Sequence, residues 1–100
     1  MKFVQFIKEA RNEFLAEVAY YHEAGPGLAE RFTAAIEEAT ARALAFPQAG
    51  SPSFSKTRRV FTKGFPFSVI YRQEKKGIIV FAVAHHAQKP GYWRSRLETR

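Results

Sequence analysis

Cysteine and aspartate are both absent from this sequence of 100 residues, and each absence excludes a type of chemistry. Without cysteine the chain has no disulfide, no thiolate metal site and no cysteine nucleophile. Without aspartate it has no Asp general base, no Asp-held metal and no Asp-containing triad. There is no apolar run of the ~20 residues that a membrane span needs, and no signal-peptide pattern. We therefore expect a protein of the reducing cytoplasm, away from the membrane.

The residues that are present are typical of a chain that folds by itself. Hydrophobic residues make up 46% of the sequence and aromatic residues 15%, with no low-complexity tract. There is no internal repeat, which excludes solenoid architectures. A chain of this length corresponds to one domain, so we expect residues 1–100 to form a single unit.

Charge is distributed unevenly along the chain. Residues 1–46 carry five Lys or Arg and seven Glu, a balance of −2, whereas residues 47–100 carry eleven Lys or Arg and two Glu, a balance of +9. The two balances add up to the net charge of +7. A basic half of this kind indicates a polyanion or an acidic protein as the partner. The alternative is a surface whose charges only keep the protein soluble.

Hydrophobic periodicity predicts one strand and two helices in the first half. Residues 3–6 alternate as a short strand, and a helical period begins near Ile7. Gly25-Pro26-Gly27 separates this helix from a second one, which begins at Leu28 and ends at Phe46-Pro47. So short a link joins an antiparallel helical hairpin. Most glutamates of the first helix are predicted to face water: Glu9, Glu13, Glu17 and Glu23.

The second half predicts three strands. A surface loop rich in Pro, Ser and Gly over residues 47–56 precedes strands at 58–62, 67–73 and 78–84. Short turns make these strands antiparallel neighbours. After Pro90-Gly91, residues 92–97 are expected to form a short helical turn. The order strand, helix, helix and three strands predicts an α+β domain, with the hairpin on one face of a small, mostly antiparallel sheet.

The stretch that follows the last strand combines cationic and aromatic groups. Its side chains of this kind are His85, His86, Lys89, Tyr92, Trp93, Arg94 and Arg96. Such groups at a strand end suit contact with phosphates and stacked bases, or with an extended acidic partner. For Trp93 we favour a place at the edge of the core, because a lone Trp in a small domain is usually buried. The charges of Lys89, Arg94 and Arg96 are expected to contribute little to stability.

Short motifs along nearly the whole chain share their order and spacing with a known superfamily. They are Ala10 to Tyr21 with a doubled tyrosine, Pro26-Gly27-Leu28-Ala29-Glu30-Arg31-Phe32, Phe46-Pro47, Arg59, Phe65-Pro66-Phe67, Ile70-Tyr71, Val83-Ala84-His85, Pro90-Gly91-Tyr92-Trp93 and Arg96. Together they resemble the ParE branch of the RelE/ParE toxins. The resemblance implies an N-terminal strand, a two-helix hairpin, a small sheet and a short C-terminal tail.

The resemblance also implies a function. It indicates the toxin, or plasmid stabilisation protein, of a bacterial type II toxin–antitoxin pair. A small, acidic and partly disordered antitoxin would neutralise it in a toxin–antitoxin hetero-oligomer. Toxins of the ParE branch are associated with poisoning DNA gyrase, and those of the RelE branch with cutting messenger RNA on the ribosome. Neither cofactor nor metal is expected.

One position in the middle strand helps to choose between the two targets. The RNA-cleaving branch typically has an arginine three residues before a tyrosine, where it can stabilise charge on the scissile phosphate. Here Tyr71 is preceded at that distance by Ser68. We therefore favour a gyrase-binding toxin without catalytic residues. A ribosome-dependent endoribonuclease and a non-toxic basic binding module are the alternatives.

Candidate site residues follow from these hypotheses. The candidates for target binding are Arg58, Arg59, Arg72, Lys89, Tyr92, Trp93, Arg94 and Arg96. A ribonuclease would instead rely on Arg72, His85, His86 and Tyr92. Its weakness is geometric, because adjacent histidines on a strand point to opposite faces, an argument that also disfavours a zinc site. By the superfamily's pattern His85 is the common histidine, and Gln88 stands where arginine is frequent.

Arg58 and Arg59 are neighbours on a predicted strand, so only one of them can face away from the helices. The arginine that lies toward the helices needs a carboxylate partner. Glu17 and Glu38 are the candidates for that role.

Overall fold

Two helices and five strands make up the fold in the computed structural model, which describes residues 2–99. In chain order the elements are β1 (Phe3–Phe6), α1 (Lys8–Ala24), α2 (Leu28–Ala45), β2 (Ser51–Pro52), β3 (Arg58–Phe61), β4 (Phe67–Glu74), β5 (Gly77–His85) and a 3₁₀ helix (Arg94–Thr99). One sheet contains the strands in the order β1-β5-β4-β3-β2. This is the predicted α+β fold; the two ends of the predicted domain, residues 1 and 100, lie outside the described residues.

The sheet is mixed. β1 runs parallel to β5, and the other neighbouring strands are antiparallel. β5 therefore lies between the first strand and β4, and it is buried along most of its length. Gly77 is required at its start, because a Cβ there would lie 1.8 Å from the carbonyl oxygen of Phe3.

The loop predicted over residues 47–56 contains one element that the pattern did not predict. Ser51 and Pro52 pair with Arg59 and Arg58 to form β2. A strand of two residues is too short to show the alternation on which strand prediction depends. β2 therefore had no signal in the sequence.

The helical hairpin covers one face of the sheet. α2 contributes more of the core than α1: six of its residues are buried, whereas Ala10 is the buried residue of α1. Phe32 of α2 is fully buried, and the centroid of its ring lies 5.1 Å from that of Tyr21 and 5.2 Å from that of Phe67. In residues 2–99 we find no helix with the length and hydropathy needed to cross a membrane.

The C-terminal segment covers part of the opposite face, which we call the outer face. Trp93 is buried there against Ile70 of β4 and Ala82 of β5, as expected for a lone tryptophan. The short helical turn predicted over residues 92–97 is present as the 3₁₀ helix. The sheet is thus covered by helices on one side and by the tail on the other.

Candidate functional site

A pocket of about 270 Å³ lies on the outer face, where β3, β4 and the end of β5 meet. Because side chains alternate along β4, Ser68 faces this pocket while Phe67 and Val69 pack in the main core. The buried Ser68 hydroxyl shares a hydrogen bond of 2.9 Å with Nε2 of His86. The ring of Phe61 lies edge-on to His86, with 5.4 Å between the ring centroids. Ser68 and Phe61 together hold the imidazole in place.

Two cations border this pocket. Arg59 of β3 lies on the outer face with its guanidinium 5.0 Å from the centroid of the Phe61 ring. Lys89 follows β5 and is exposed. With His86 they form a basic surface of the kind that contacts phosphates or carboxylates.

His85 borders the same pocket, but its ring has different partners. It lies edge-on to Phe67 at 4.9 Å, and its Nδ1 accepts the Ala87 N–H at 2.9 Å. The His85 N–H donates to the side-chain oxygen of Gln88, which thereby closes the turn after β5. His85 is therefore the last residue of β5, and its ring packs on the core. In residues 2–99 no three His or Glu side chains are grouped as metal ligands would be.

Glu13 of α1 is the centre of a second cluster, on the β1 side of β5. Its carboxylate accepts hydrogen bonds from the Tyr92 hydroxyl at 2.6 Å and from Arg96 at 2.8 and 3.0 Å. It also accepts the backbone N–H of Val83, while Arg96 donates to the carbonyl oxygen of Phe81. β1 pairs only with the first half of β5. Glu13 and Arg96 therefore form hydrogen bonds with backbone groups on the unpaired edge of its second half.

Two predictions from the sequence, those for the exposure of Glu13 and of Arg96, are wrong. Glu13 was expected to face water, yet its side chain is only 20% exposed and bonds to the tail. Arg96 was expected to be an exposed charge with little effect on stability, yet its side chain is 16% exposed. Burial and the hydrogen bond to Glu13 raise the pKa of Tyr92. Burial opposes the charge of Arg96, but the hydrogen bond and charge of Glu13 raise the Arg96 pKa overall.

Arg72 lies away from the Ser68 pocket, toward the other end of β4. Its Nε donates to Glu74 at 2.7 Å, and its guanidinium lies 4.9 Å from the centroid of the Phe81 ring. Ser68 is four residues earlier on the same strand, which separates the two Cα atoms by ~13 Å. Arg72 and His86 are therefore not parts of one site.

Arg58 lies on the opposite face of β3 from Arg59, as the alternation requires. Its guanidinium donates to the carbonyl oxygen of Gly50 at 2.8 Å and to Oε1 of Gln48 at 3.1 Å. The prediction of a carboxylate partner was wrong, because within residues 2–99 neither Glu17 nor Glu38 forms an ion pair with Arg58, and Glu38 pairs with Arg42 instead. The Arg58 side chain is half-exposed at the start of β3. Two uncharged oxygens therefore stand where a carboxylate was expected.

Comparison with known proteins decides the family. The profile of the ParE toxin of type II toxin–antitoxin systems, parDE, matches residues 4–90. The chain belongs to the ParE toxin family. A solved structure described as "Chromosomal ParDE TA system from P. aeruginosa" has a TM-score of 0.71 at 24% identity and covers 85% of this chain and 96% of that one. That likeness concerns the fold. No curated protein gave a match.

In this ParE-family toxin, three of the four residues that a ribonuclease would use line the outer-face pocket: His85, His86 and Tyr92. Their polar groups have separate partners there, because His86 bonds to Ser68 and the Tyr92 hydroxyl bonds to Glu13. Arg72 does not line this pocket and bonds to Glu74.

The candidates for target binding differ in what they can offer a partner. The side chains that reach solvent are Arg58, Arg59, Arg72, Lys89 and Arg94, and Arg94 lies over the Phe54 ring at 3.5 Å. Trp93 is buried, and Tyr92 and Arg96 are engaged with Glu13. The ParE-family toxin therefore presents mainly its arginines and Lys89.

Sequence reasoning missed Glu13 as a site residue of the ParE-family toxin. A weak signal was present, since Glu13 lies three residues after the buried Ala10 and directly before Phe14. A residue in that position is at the margin of the buried stripe. Its partners are about 70 to 83 residues away along the chain, so no local pattern identifies them.

Proposed function

We propose that this ParE-family toxin acts by binding and poisoning DNA gyrase, without catalytic residues of its own, and that a cognate antitoxin neutralises it in the cytoplasm. The observation that supports this reading is that the groups which RNA cleavage would need are bonded to other protein groups, and that Arg72 lies outside the pocket that His86 and Tyr92 line. A general base must reach the proton that it abstracts, and the phosphate must meet a cation at the same point. Here Arg72, His86 and Tyr92 have separate partners.

The position of Ser68 adds to this argument. A ribonuclease of the RelE type would have a guanidinium there, where it could stabilise developing charge on a phosphate. The Ser68 hydroxyl is buried and already bonded to His86, so it offers no charge and little access. Loss of such a charge-stabilising group costs about 2.7–4 kcal/mol in comparable sites.

The antitoxin is expected to be a small, acidic and partly disordered chain. The balance of +9 on residues 47–100 suits an acidic segment. A groove between α1 and α2 offers apolar anchors, because Leu15, Val18 and Ala34 line it and Leu15 is 53% exposed. A segment that folds on binding could use both surfaces.

Induction in a growing culture tests the proposed target. We expect blocked replication with a DNA-damage response, and inhibition of purified gyrase by the purified toxin. An immediate halt in translation, with codon-specific cleavage of messenger RNA that disappears in His86→Ala, would establish the endoribonuclease instead. Unimpeded growth would favour the non-toxic binding module.

The accessible cations carry the proposed contact with the target. Lys89→Ala/Arg59→Ala should leave the melting temperature unchanged, because exposed charges contribute little to stability. It should weaken growth arrest. A charge-matched control is Lys75→Ala/Lys76→Ala, in the turn between β4 and β5. Equal arrest by both double variants would show that this basic surface does not contact the target.

A further inference from the structure

A recess of about 690 Å³ lies beyond the start of β3, beside the last residues of β4. It shares Ser53 with the outer-face pocket, but none of its charged lining residues belongs to that pocket or to the Glu13 cluster. Its charged lining residues are Lys56, Arg58, Arg72 and Glu74. Three cations and one anion leave a local charge of +2. The recess therefore favours an anionic occupant.

Arg58 has no charged partner at this recess. Its guanidinium is half-buried and donates to two uncharged oxygens, those of Gly50 and Gln48. Across residues 2–99, no ion pair includes Arg58. A cation partly removed from water without a counter-charge is unfavourable, and an anion bound nearby would relieve it.

The recess also has more free hydrogen-bond donors than acceptors. Arg72 donates its Nε to Glu74 and lies on the Phe81 ring, and within residues 2–99 its two terminal nitrogens make no hydrogen bond. The side-chain oxygen of Gln73 accepts from the amide of Gln48, which leaves the Gln73 NH₂ to donate. Lys56 makes no hydrogen bond within the described residues. These unused donors match a ligand with several oxygen acceptors.

The turn that places Lys56 has an unusual backbone. Ser55 and Lys56 have φ of 54° and 64°, a left-handed conformation that is uncommon outside glycine. The Thr57 N–H donates to the Phe54 carbonyl at 3.2 Å, which closes a turn of type I′. Such turns strongly prefer Asn-Gly, and strained non-glycine residues cluster where a ligand or partner uses them.

We propose that this recess binds a phosphoryl group, supplied by a free nucleotide or pyrophosphate or by a nucleic-acid backbone. Lys56, Arg58 and Arg72 provide the charge, and the Gln73 amide provides a further donor. A phosphoryl group carries more negative charge and more acceptor oxygens than a single carboxylate, so it can bond to more of these donors at once. The inference does not depend on gyrase being the target of the toxin.

Titration of the full chain with pyrophosphate, ATP and a short single-stranded DNA tests the proposal, with calorimetry for affinity and amide NMR shifts for location. The test variant is Lys56→Gly/Arg72→Gln, which should fold because glycine suits the left-handed turn. Its affinity should fall roughly tenfold to a hundredfold, as expected for charged hydrogen bonds. The control Lys75→Ala/Lys76→Ala removes the same net charge elsewhere and should bind as the wild type does.

The probes distinguish the two sources of phosphate. Binding of pyrophosphate and ATP in preference to DNA would support a free ligand, and the opposite order would support a nucleic-acid backbone. The wild-type shifts must centre on residues 53–58 and 72–74 in either case. Absence of binding by all three probes, equal weakening in the control, or shifts centred on His86 and Lys89 would overturn the proposal.

Discussion

At the scale of single residues, the fold depends on one glycine at the start of β5. Gly77 has φ of 152°, and a methyl group there would overlap the carbonyl of Phe3, so β1 could not keep its register. Gly77→Ala should therefore lower the free energy of unfolding by roughly 3 kcal/mol, as steric clashes in packed sites do. Chemical denaturation monitored by circular dichroism provides the measurement.

Gly64→Ala is the matched control for this variant. Gly64 also has a positive φ, 81°, but no atom lies within 4 Å of the added Cβ. Its substitution should cost only the backbone strain of about 1 kcal/mol. Equal losses in the two variants would show that conformation, and not the contact with Phe3, makes Gly77 necessary.

The raised pKa of Tyr92 predicts how the free energy of unfolding depends on pH. Burial and the bond to Glu13 raise the pKa of Tyr92, so the folded chain holds the phenolic proton more tightly than the unfolded chain. The stabilisation is therefore complete below the ordinary tyrosine pKa of about 10 and is lost as the pH rises above it. Unfolding by urea between pH 8 and 11 should show this decline.

Tyr92→Phe should make the decline less steep without abolishing it, because burial also raises the pKa of Tyr71. Tyr20→Phe serves as the control, since Tyr20 is 62% exposed. If Tyr92→Phe and the wild type lose stability in parallel above pH 10, the phenol is not the group responsible.

At the scale of secondary-structure elements, the tail acts as a cover for the unpaired half of β5. Glu13 and Arg96 satisfy backbone groups of Val83 and Phe81 that would otherwise form an open sheet edge. Glu13→Gln removes the carboxylate charge to which Arg96 and Tyr92 are bonded. We expect a loss of roughly 2–4 kcal/mol in the free energy of unfolding, the range for breaking a buried pair.

Self-association provides a second measurement on the same variant. If the tail packs less firmly without the Glu13 charge, the edge at residues 81–85 can accept a strand from another molecule, so light scattering should increase with concentration. Glu23→Gln, at an exposed position of α1, should change neither stability nor scattering. A Glu13→Gln protein as stable as the wild type would show that the Glu13 charge does not contribute to holding the tail.

Sequence patterns identified elements well where the pattern is local, and failed where the contact is distant. The two helices and the strands β1, β3, β4 and β5 carry apolar patterns, and Gly25-Pro26-Gly27 marks the break between the helices, so their positions were predictable. β2 has two residues and no period. The partners of Glu13 lie 70 to 83 residues away, and composition and spacing do not encode how such distant segments meet. Those of Arg58 lie in the preceding loop, which has no regular pattern.

At the scale of the whole molecule, charge divides the toxin into an acidic helical part and a basic sheet part. Residues 47–100 carry +9, so an acidic antitoxin should bind faster and more tightly at low ionic strength. Apolar anchors in the α1–α2 groove should make this dependence shallower than for charge pairing alone. Calorimetric titration at two salt concentrations measures it, and an affinity that is independent of salt would contradict the electrostatic contribution.

The strand order determines which incomplete chains of this protein can fold. β1 is the first strand to be synthesised, but its one partner in the sheet is β5, the last of the five strands. A polypeptide interrupted before residue 77 therefore has a strand and a helical hairpin with no central strand to assemble on. Fragments from aborted translation or partial proteolysis should therefore remain unfolded and should not arrest growth, so that toxicity requires a chain that includes β5.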